Sequence, residues 1–314
     1  MRILLASKHR YPASVGGLSG ARVLDWLAKG LGELGHEVFY QLSQGAVAPL
    51  PDRVTLISER RRDVDILHLQ DWDPINPASE AGNGGRPWVR TCHGDLGPNR
   101  HIARDNWIFV SPTHAAMYGR QRYVINGIDP SELRFSATKD DYFLFLTNLE
   151  RLTQKGFDLA MALSKRPGFH LVVAGSSPDQ RLTSQFQERC RQRGIEYVGE
   201  VYGTRKAELF ARAKALLFPS QLNEACPLVV AEALMSGTPV ICSNKGFCPQ
   251  MVSPEVGVVC ASEADYLRAI ERVGELSPQA CREKAMRDYH YLRMAADYVR
   301  EYEREICALE GRGC

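Results

Sequence analysis

The segment NEACPLVVAEALMSGTPV, residues 223–240, places two carboxylates around the start of a short predicted helix. Proline suits the first position of a helix, where its missing N–H is no loss, so the helix is expected to begin at Pro227. It should end before Gly237, because glycine is common just after a helix C-terminus. Glu224 then lies in the loop before the helix, and Glu232 lies inside it.

This arrangement predicts a binding site for a nucleoside-diphosphate sugar. Phosphate binds to a free helix N-terminus through unpaired N–H groups and the helix dipole. Glu232 comes five residues after Pro227, which is about 7.5 Å along the helix axis. A diphosphate at the N-terminus would leave its ribose within reach of the Glu232 oxygens, which can accept from both hydroxyls. The residues expected to line the donor at the helix start are Cys226, Pro227, Leu228 and Val229.

Two cations lie on one loop near the middle of the chain. Arg151 and Lys155 are four positions apart, and Gly156 directly follows the lysine. A guanidinium and an ammonium so placed can neutralise the two charges of a diphosphate. Taken alone, they are also consistent with two exposed cations. Glu224 and Glu232 alone would equally fit an ordinary amphipathic helix with two solvated carboxylates.

Glycines follow two of the predicted strands. Gly16 and Gly17 lie between the first strand and an amphipathic helix, where backbone can approach a phosphate or a sugar closely. A tight strand-to-helix turn is an equally good explanation of either glycine. Gly175 follows a later strand, at another place where the nucleotide-binding face should be open.

Apolar runs alternate with helical patterns along the whole chain, which indicates an α/β protein with mostly parallel sheets. Two consecutive series predict two Rossmann-like, doubly wound domains, residues 1–137 and 138–290, that face a cleft. The second contains residues 223–240 and is expected to bind the nucleotide sugar, and a polar linker is expected near Ser131–Asp141. The chain from Ser277 to Leu309 reads as nearly continuous helix. The predicted strands are Ile3–Ala6, a stretch opening at His36, Val64–Leu69, Trp88–Cys92, Trp107–Ser111, Tyr142–Leu146, Leu171–Ala174, Tyr197–Val198, Ala215–Phe218, Pro239–Cys242 and Val258–Cys260.

The composition is that of an ordinary globular protein. Of 314 residues, 44% are apolar and 24% are charged, and the formal net charge of +2 is too small to argue for nucleic acid. No apolar run is long enough to span a bilayer, so at most weak peripheral membrane contact is expected. Nine scattered cysteines without a C-x-x-C pair favour a reducing, cytoplasmic location. The oligomeric state is left open.

Residues 223–240 resemble the E-x7-E signature of the retaining glycosyltransferases of family 4, which have the GT-B fold. The match covers Glu224, Cys226-Pro227-Leu228, Glu232-Ala233 and Gly237-Thr238-Pro239-Val240. The family's opening pattern is matched by Pro12, Gly16, Gly17, Leu27-Ala28, Leu31 and Gly35-His36-Glu37-Val38. The loop with Arg151 and Lys155-Gly156 resembles G-R-L-x-x-x-K-G, although no glycine precedes the arginine and the gap to the lysine is one residue shorter.

The resemblance implies roles for further residues. His93, at the end of WVRTCH, matches a family histidine that contacts the donor sugar. Val201 ends an h-G-x-V element that lines the base pocket. His68 matches a mostly structural histidine, whereas Gln70 stands where the family has a second one. The resemblance also implies that the first domain, residues 1–137, binds the acceptor. The C-terminal segment 291–314 is expected to return to the first domain as a helix.

The implied activity is sugar transfer from a nucleoside-diphosphate sugar to a sugar-bearing or small-molecule acceptor, with retention and without a metal or other cofactor. Its catalytic residues would be His93, Glu224, Lys155 and Arg151. Three alternatives remain open: a glycoside hydrolase that uses the two glutamates, a GT-B-fold sugar-nucleotide epimerase, and a binding protein without transfer. Asp71-Trp72-Asp73 resembles a metal-binding D-x-D, but it follows a strand of the first domain and is taken as loop.

Overall fold

The computed structural model describes residues 1–13, 19–70 and 85–309. Gly16, Gly17 and the Asp71-Trp72-Asp73 motif lie outside these residues. The chain forms two compact units, Met1–Ile128 with Tyr289–Cys314, and Asp129–Asp288. The boundaries between units thus lie at 128/129 and 288/289, where the sequence places them at 137/138 and 290/291.

The first unit contains a parallel six-stranded sheet in the order β3-β2-β1-β4-β5-β6. Its central strands are apolar runs, as strands covered on both faces should be, and Ile3, Leu4 and Leu5 are fully buried. A 3-10 helix covers Gly97–Ile102. The strands are β1 Arg2–Ser7, β2 Glu37–Leu42, β3 Val54–Ile57, β4 Ile66–Leu69, β5 Trp88–Cys92 and β6 Trp107–Phe109, and the helices α1 Ser19–Glu33 and α2 Pro112–Met117.

The C-terminal helix packs against α1 of the first unit. A glycine makes this close approach possible, because a Cβ at Gly30 would lie 2.8 Å from the Cβ of Ala295. The amphipathic pattern of α1 turns Leu24, Leu27 and Leu31 inward, and each is almost fully buried. The predicted return of the chain end to the first domain is therefore confirmed.

The second unit contains another parallel six-stranded sheet, in the order β12-β11-β10-β7-β8-β9. Three 3-10 helices cover Pro130–Glu132, Leu149–Arg151 and Val273–Glu275. The strands are β7 Phe143–Leu146, β8 Leu171–Ala174, β9 Glu196–Tyr197, β10 Ala215–Phe218, β11 Val240–Ser243 and β12 Gly257–Cys260. The helices are α3 Phe157–Leu163, α4 Gln180–Gln192, α5 Gly203–Arg212, α6 Leu228–Met235, α7 Cys248–Met251, α8 Glu263–Arg272 and α9 Pro278–Asp288, and the first unit's C-terminal helix is α10, Tyr291–Leu309.

Each sheet has one point at which the strand order reverses. In the first unit the chain winds outward from β1 to β3 and then returns to add β4 on the other side of β1. In the second unit β10 is added beside β7 after the chain has wound outward to β9. Open α/β sheets bind ligands at the carboxyl ends of the strands at such switch points. The loops after β1, β4, β7 and β10 are therefore the first places to look for a site.

Two parallel sheets with α/β layering confirm the predicted fold class, but some elements differ from the predictions. Strand β3 was not predicted, because its four residues VTLI are too short to show a pattern beside the polar runs that flank them. The nearly continuous helix predicted over Ser277–Leu309 is present, interrupted only at Tyr289 and His290 between α9 and α10. Ile128 N–H donates to the Tyr289 carbonyl at 2.8 Å and its own carbonyl accepts from Tyr291 N–H at 3.1 Å, so these groups leave the helical pattern.

The helix after Glu224 also differs in two details. Leu228 is its first residue, and Pro227 is the N-cap with extended backbone, φ −71° and ψ 111°. The helix is buried on nearly all sides instead of along one stripe, since every residue from Val230 to Met235 is buried. It ends as predicted at Ser236 and Gly237, whose φ of 75° is a left-handed conformation that glycine adopts without strain.

Within residues 1–13, 19–70 and 85–309, no helix is both long and apolar enough to cross a membrane. The cysteines of the same ranges include seven free thiols, six of them buried. Cys307 is disulfide-bonded, which the scattered spacing of the cysteines did not predict.

Candidate functional site

A lysine and a glutamate meet at the switch point of the second sheet. Lys155 comes from the loop after β7 and Glu224 from the loop after β10, the two strands between which the order reverses. Lys155 Nζ lies 2.5 Å from Glu224 Oε1, and the Ser220 hydroxyl donates to the same oxygen at 2.6 Å. Both charged side chains are mostly buried, at 20% and 13% exposure. The pair is therefore a fixed feature of the site, since burial limits the screening that weakens surface ion pairs.

Glycine makes this meeting possible from the lysine side. Gly156 has φ 78°, and a Cβ there would lie only 2.1 Å from the Pro219 carbonyl oxygen. The loops after β7 and β10 are thus in backbone contact, and Gln221 N–H donates to the Gln154 carbonyl at 2.8 Å. This is the physical reason for the glycine that follows Lys155.

A second glycine holds Glu224 from the other side. Gly246, after β11, has φ 56°, and a Cβ there would lie 2.3 Å from the backbone nitrogen of Glu224. Phe247 N–H donates to the Glu224 carbonyl at 2.9 Å. Ser243 Oγ donates to the Ser220 carbonyl at 2.6 Å, which fixes the start of the same loop. Sequence reasoning missed Ser220 and Gly246, although both follow strands that it placed correctly.

The second carboxylate of the motif is buried inside α6. Glu232 is 1% exposed, and its Oε1 lies 2.7 Å from Nζ of Lys206 on the neighbouring helix α5. A carboxylate so deeply buried needs a charged partner or several hydrogen bonds to remain ionised. Lys206 supplies the charge. The sequence did not indicate Lys206, because nothing in its spacing relates it to Glu232.

The N-terminus of α6 lies between these two carboxylates in the chain. Pro227 at the N-cap has no side-chain acceptor, and its carbonyl accepts from Val230 N–H at 3.1 Å. Pro227 and Leu228 are buried, whereas Cys226 and Val229 are half-buried. The helix N-terminus, Glu224 and Glu232 are therefore arranged along one segment as the sequence predicted.

Arg151 differs from Lys155 in its surroundings. It ends the 3-10 helix Leu149–Arg151 and its side chain is exposed. Its carbonyl accepts from Lys155 N–H at 2.8 Å, which continues the turn towards Gly156. Among the residues that the structure describes, no hydrogen bond or ion pair engages the Arg151 guanidinium. The structure therefore joins Lys155, but not Arg151, to Glu224.

Gly175 joins the ends of three strands at the same edge of the sheet. It has φ 144°, and a Cβ there would lie 1.7 Å from the Thr147 carbonyl oxygen after β7. Its N–H donates to the Gly199 carbonyl at 2.9 Å, and its carbonyl accepts from the Tyr197 hydroxyl at 2.7 Å. Val201 lies half-buried between β9 and α5. Gly175 therefore shapes the backbone of this edge and leaves no side chain there.

In the first unit, His93 follows β5 and is held by Gln70, which follows β4. Gln70 Nε2 donates to the Gly20 carbonyl in the first turn of α1 at 2.5 Å. The same nitrogen lies 2.6 Å from Nε2 of His93, and Gln70 is 3% exposed. Burial, and secondly the neighbouring His114, lower the pKa of His93 to about 3. The departure from the family pattern at Gln70 is thus a contact to His93, not the loss of a role for this strand.

His68 lies on β4, two residues before Gln70. It is fully buried, with Nδ1 2.6 Å from the Tyr302 hydroxyl and Nε2 2.7 Å from the Thr91 hydroxyl. Burial lowers its pKa to about 3, so the ring is neutral. These contacts link β4, β5 and α10, which is a structural arrangement. Gly16 and Gly17 lie outside the residues that the structure describes.

Comparison with known proteins gives a consistent result. Residues 131–289 match the sequence profile of the family described as "Glycosyl transferases group 1". No curated protein matches the sequence.

Among solved structures, AviGT4, a glycosyltransferase involved in avilamycin A biosynthesis, is 25% identical with a TM-score of 0.77 over 98% of each chain. Sucrose-phosphate synthase from Thermosynechococcus elongatus is 16% identical, with a TM-score of 0.77 over 98% of this chain and 99% of that one. HepE from Anabaena in complex with UDP is 14% identical, with a TM-score of 0.72 over 97% and 100%. Together with the two parallel sheets, these likenesses confirm the predicted GT-B fold.

Proposed function

The chain belongs to the group 1 glycosyl transferases, and on that premise we propose that it is a retaining, metal-independent enzyme of family 4. Its donor would be a nucleoside-diphosphate sugar, and its acceptor a sugar-bearing or small molecule. The observation that carries the proposal is the cluster at the switch point of the second sheet. There Lys155 meets Glu224 at 2.5 Å beside the segment that leads into α6 and to Glu232.

Lys155 is assigned to the diphosphate. A lysine ammonium has three donors, and one of them goes to Glu224. The other two can reach phosphate oxygens, and the first N–H groups of α6, around Cys226–Val229, can bind the same anion. Cations and helix N-termini stabilise charge that develops on a leaving group. In this assignment Lys155 takes the place that a divalent metal would have, and Arg151 adds a second, exposed cation.

Glu232 is assigned to the ribose. Its carboxylate is buried and paired with Lys206, so it can accept hydrogen bonds from the ribose hydroxyls with little rearrangement. The structures of HepE with UDP and with UDP-glucose support a nucleoside-diphosphate donor in this fold. Gly175 and Val201 are assigned to the edge that the nucleotide would lie against.

Retention is proposed because the candidate bases are already engaged. Inversion usually requires a carboxylate or a histidine that takes the acceptor proton opposite the leaving group. Glu224 Oε1 accepts from both Lys155 and Ser220, and Nε2 of His93 lies 2.6 Å from the amide nitrogen of Gln70. The departing diphosphate oxygen would instead take the proton, on the same face of the sugar. Glu224 would hold sugar hydroxyls and His93 would orient the sugar.

The test is the stereochemistry of the product. An α-linked nucleotide sugar should give an α-linked product, which the anomeric proton coupling in NMR identifies. The reaction should proceed equally well in excess chelator. A β-linked product would refute retention, and a magnesium-reversible loss on chelation would refute metal independence. A free sugar without acceptor, or an epimerised nucleotide sugar, would instead favour the hydrolase or the epimerase.

A further inference from the structure

The switch point of the first sheet is crossed by one amide side chain. Gln70 follows β4. Its amide contacts the carbonyl of Gly20, in the first turn of α1 after β1, and the ring of His93, which follows β5. A single buried amide therefore connects three elements at the place where an α/β sheet binds ligands. Gln70 is 3% exposed, which fixes its position.

The contact to Gly20 fixes the orientation of the amide. A backbone carbonyl can only accept, so the amide nitrogen of Gln70, not its oxygen, must point towards it. That nitrogen carries two hydrogens, and the second points at Nε2 of His93, 2.6 Å away. Nε2 must therefore be the unprotonated acceptor, and a neutral His93 carries its proton on Nδ1. Protonation of Nε2 would bring two donors face to face.

We propose that Gln70 is a positioning residue that fixes His93 as the neutral Nδ1–H tautomer. Fixed in this tautomer, His93 would orient the sugar without taking up a proton. The part of this inference that concerns substrate rests on the proposed function, in which His93 orients the sugar. The tautomer itself does not depend on it. The inference also explains why a histidine beside the donor sugar would not act as the base of an inverting reaction.

The titratable neighbours of His93 agree with this role. Among the residues that the structure describes, His68 on β4 and His114 on α2 interact electrostatically with His93, and Asp95 lies in the loop that follows it. His114 Nε2 donates to the Gly94 carbonyl at 3.1 Å, and burial lowers the pKa of His114 to about 4. The Asp95 carboxylate accepts from the Tyr118 hydroxyl at 2.7 Å and from Gly97 N–H at 2.8 Å.

The direct experiment observes the ring in the wild-type protein. Long-range proton–nitrogen correlation spectra of protein labelled with 15N-histidine distinguish protonated from unprotonated ring nitrogens. The His93 signals are assigned by their absence from His93→Asn. We expect Nδ1 protonated and Nε2 unprotonated from pH 5 to 9. A proton on Nε2, or a ring that titrates in this range, would overturn the proposal whether or not a variant at Gln70 folds.

Gln70→Glu supplies a reversal. A carboxylate can only accept, so Nε2 of His93 should become the protonated nitrogen and the ring should begin to titrate. Turnover should fall about 10- to 100-fold, which is typical for loss of a residue that orients a functional histidine. Gln187→Glu makes the same chemical change at an exposed position of α4, in the other unit. It should alter neither the ring-nitrogen signals of His93 nor the turnover. An unchanged His93 tautomer in folded Gln70→Glu would refute the positioning role, whatever happens to turnover.

The two proposals fail separately. If the wild-type tautomer is Nδ1–H and reverses in Gln70→Glu, the positioning role stands even where no sugar transfer is found. If transfer with retention is found but His93 is protonated on Nε2, the proposed function stands and the role of Gln70 is refuted.

Discussion

Replacement of Lys206 by methionine tests whether the lysine compensates the buried charge of Glu232. Glu232 is 1% exposed and Lys206 16% exposed, with 2.7 Å between Nζ and Oε1. Loss of one partner of a buried ion pair costs about 3–5 kcal/mol, because the other charge is left in the interior. The partial exposure of Lys206 places the expected loss in the free energy of unfolding near the lower end, about 3 kcal/mol. For a domain of this size that corresponds to a fall in Tm of about 6–12 °C.

The assay is thermal and urea unfolding of the full chain followed by circular dichroism. Lys214→Met is the matched control, because Lys214 pairs with Asp141 at 2.6 Å in the same unit but both side chains are more exposed, at 32% and 72%. Such a pair contributes about 0–1 kcal/mol. Combining Lys206→Met with Glu232→Gln removes the buried charge and should recover most of the loss, which a double-mutant cycle measures. A Lys206→Met variant no less stable than Lys214→Met would show that the lysine does not compensate Glu232.

Two further variants test the donor site. Glu232→Ala should weaken binding of a nucleoside diphosphate by about 1.5–3 kcal/mol, or about 10- to 150-fold, because the ribose hydroxyls lose a charged acceptor. Calorimetry measures the affinity, and an unchanged affinity would refute the assignment of Glu232 to the ribose. Lys155→Ala should lower turnover by about 100- to 1000-fold if the ammonium stabilises leaving-group charge. Arg151→Ala should have a smaller effect, since its guanidinium is exposed, and Lys165→Ala, another exposed cation of the same unit, should have none. Equal losses for Lys155→Ala and Arg151→Ala would contradict the difference in their surroundings.

The sequence predicted the fold from patterns that act locally. Strands such as Leu171–Ala174 and Ala215–Phe218 were placed correctly because each is a continuous apolar run, as expected for a parallel strand covered on both faces. Strand β3, Val54–Ile57, was missed because it is only four residues long and its place at the edge of the sheet is set by pairing with β2, with Val54 as its one buried residue. The break between α9 and α10 was missed for a similar reason. Its cause is a pair of hydrogen bonds to Ile128, more than a hundred residues earlier.

The candidate site divides in the same way. Glu224 and Glu232 were found because both belong to one short segment whose helix pattern could be seen in the sequence. Lys206 reaches Glu232 only because α5 packs beside α6. The sequence also treated Gln70 as a mere departure from a histidine pattern. Its partners Gly20 and His93 lie on other elements, so only the tertiary structure shows what the amide does.

The two switch points share one feature: at each of them, two polar side chains from different loops are bonded to each other. Lys155 is bonded to Glu224, and Gln70 is bonded to His93. Such bonds limit the rotamers that a ligand must otherwise freeze, and the entropy of ordering is then lost on folding instead of on binding. The first bond leaves two ammonium hydrogens of Lys155 for other partners, and the second places the one ring proton of a neutral His93 on Nδ1. The glycines at 156 and 246 belong to the same arrangement, because a side chain at either position would push apart the loops that bring Lys155 to Glu224. The geometry that the proposed function assigns to the donor is therefore inseparable from the backbone contacts that build the switch point.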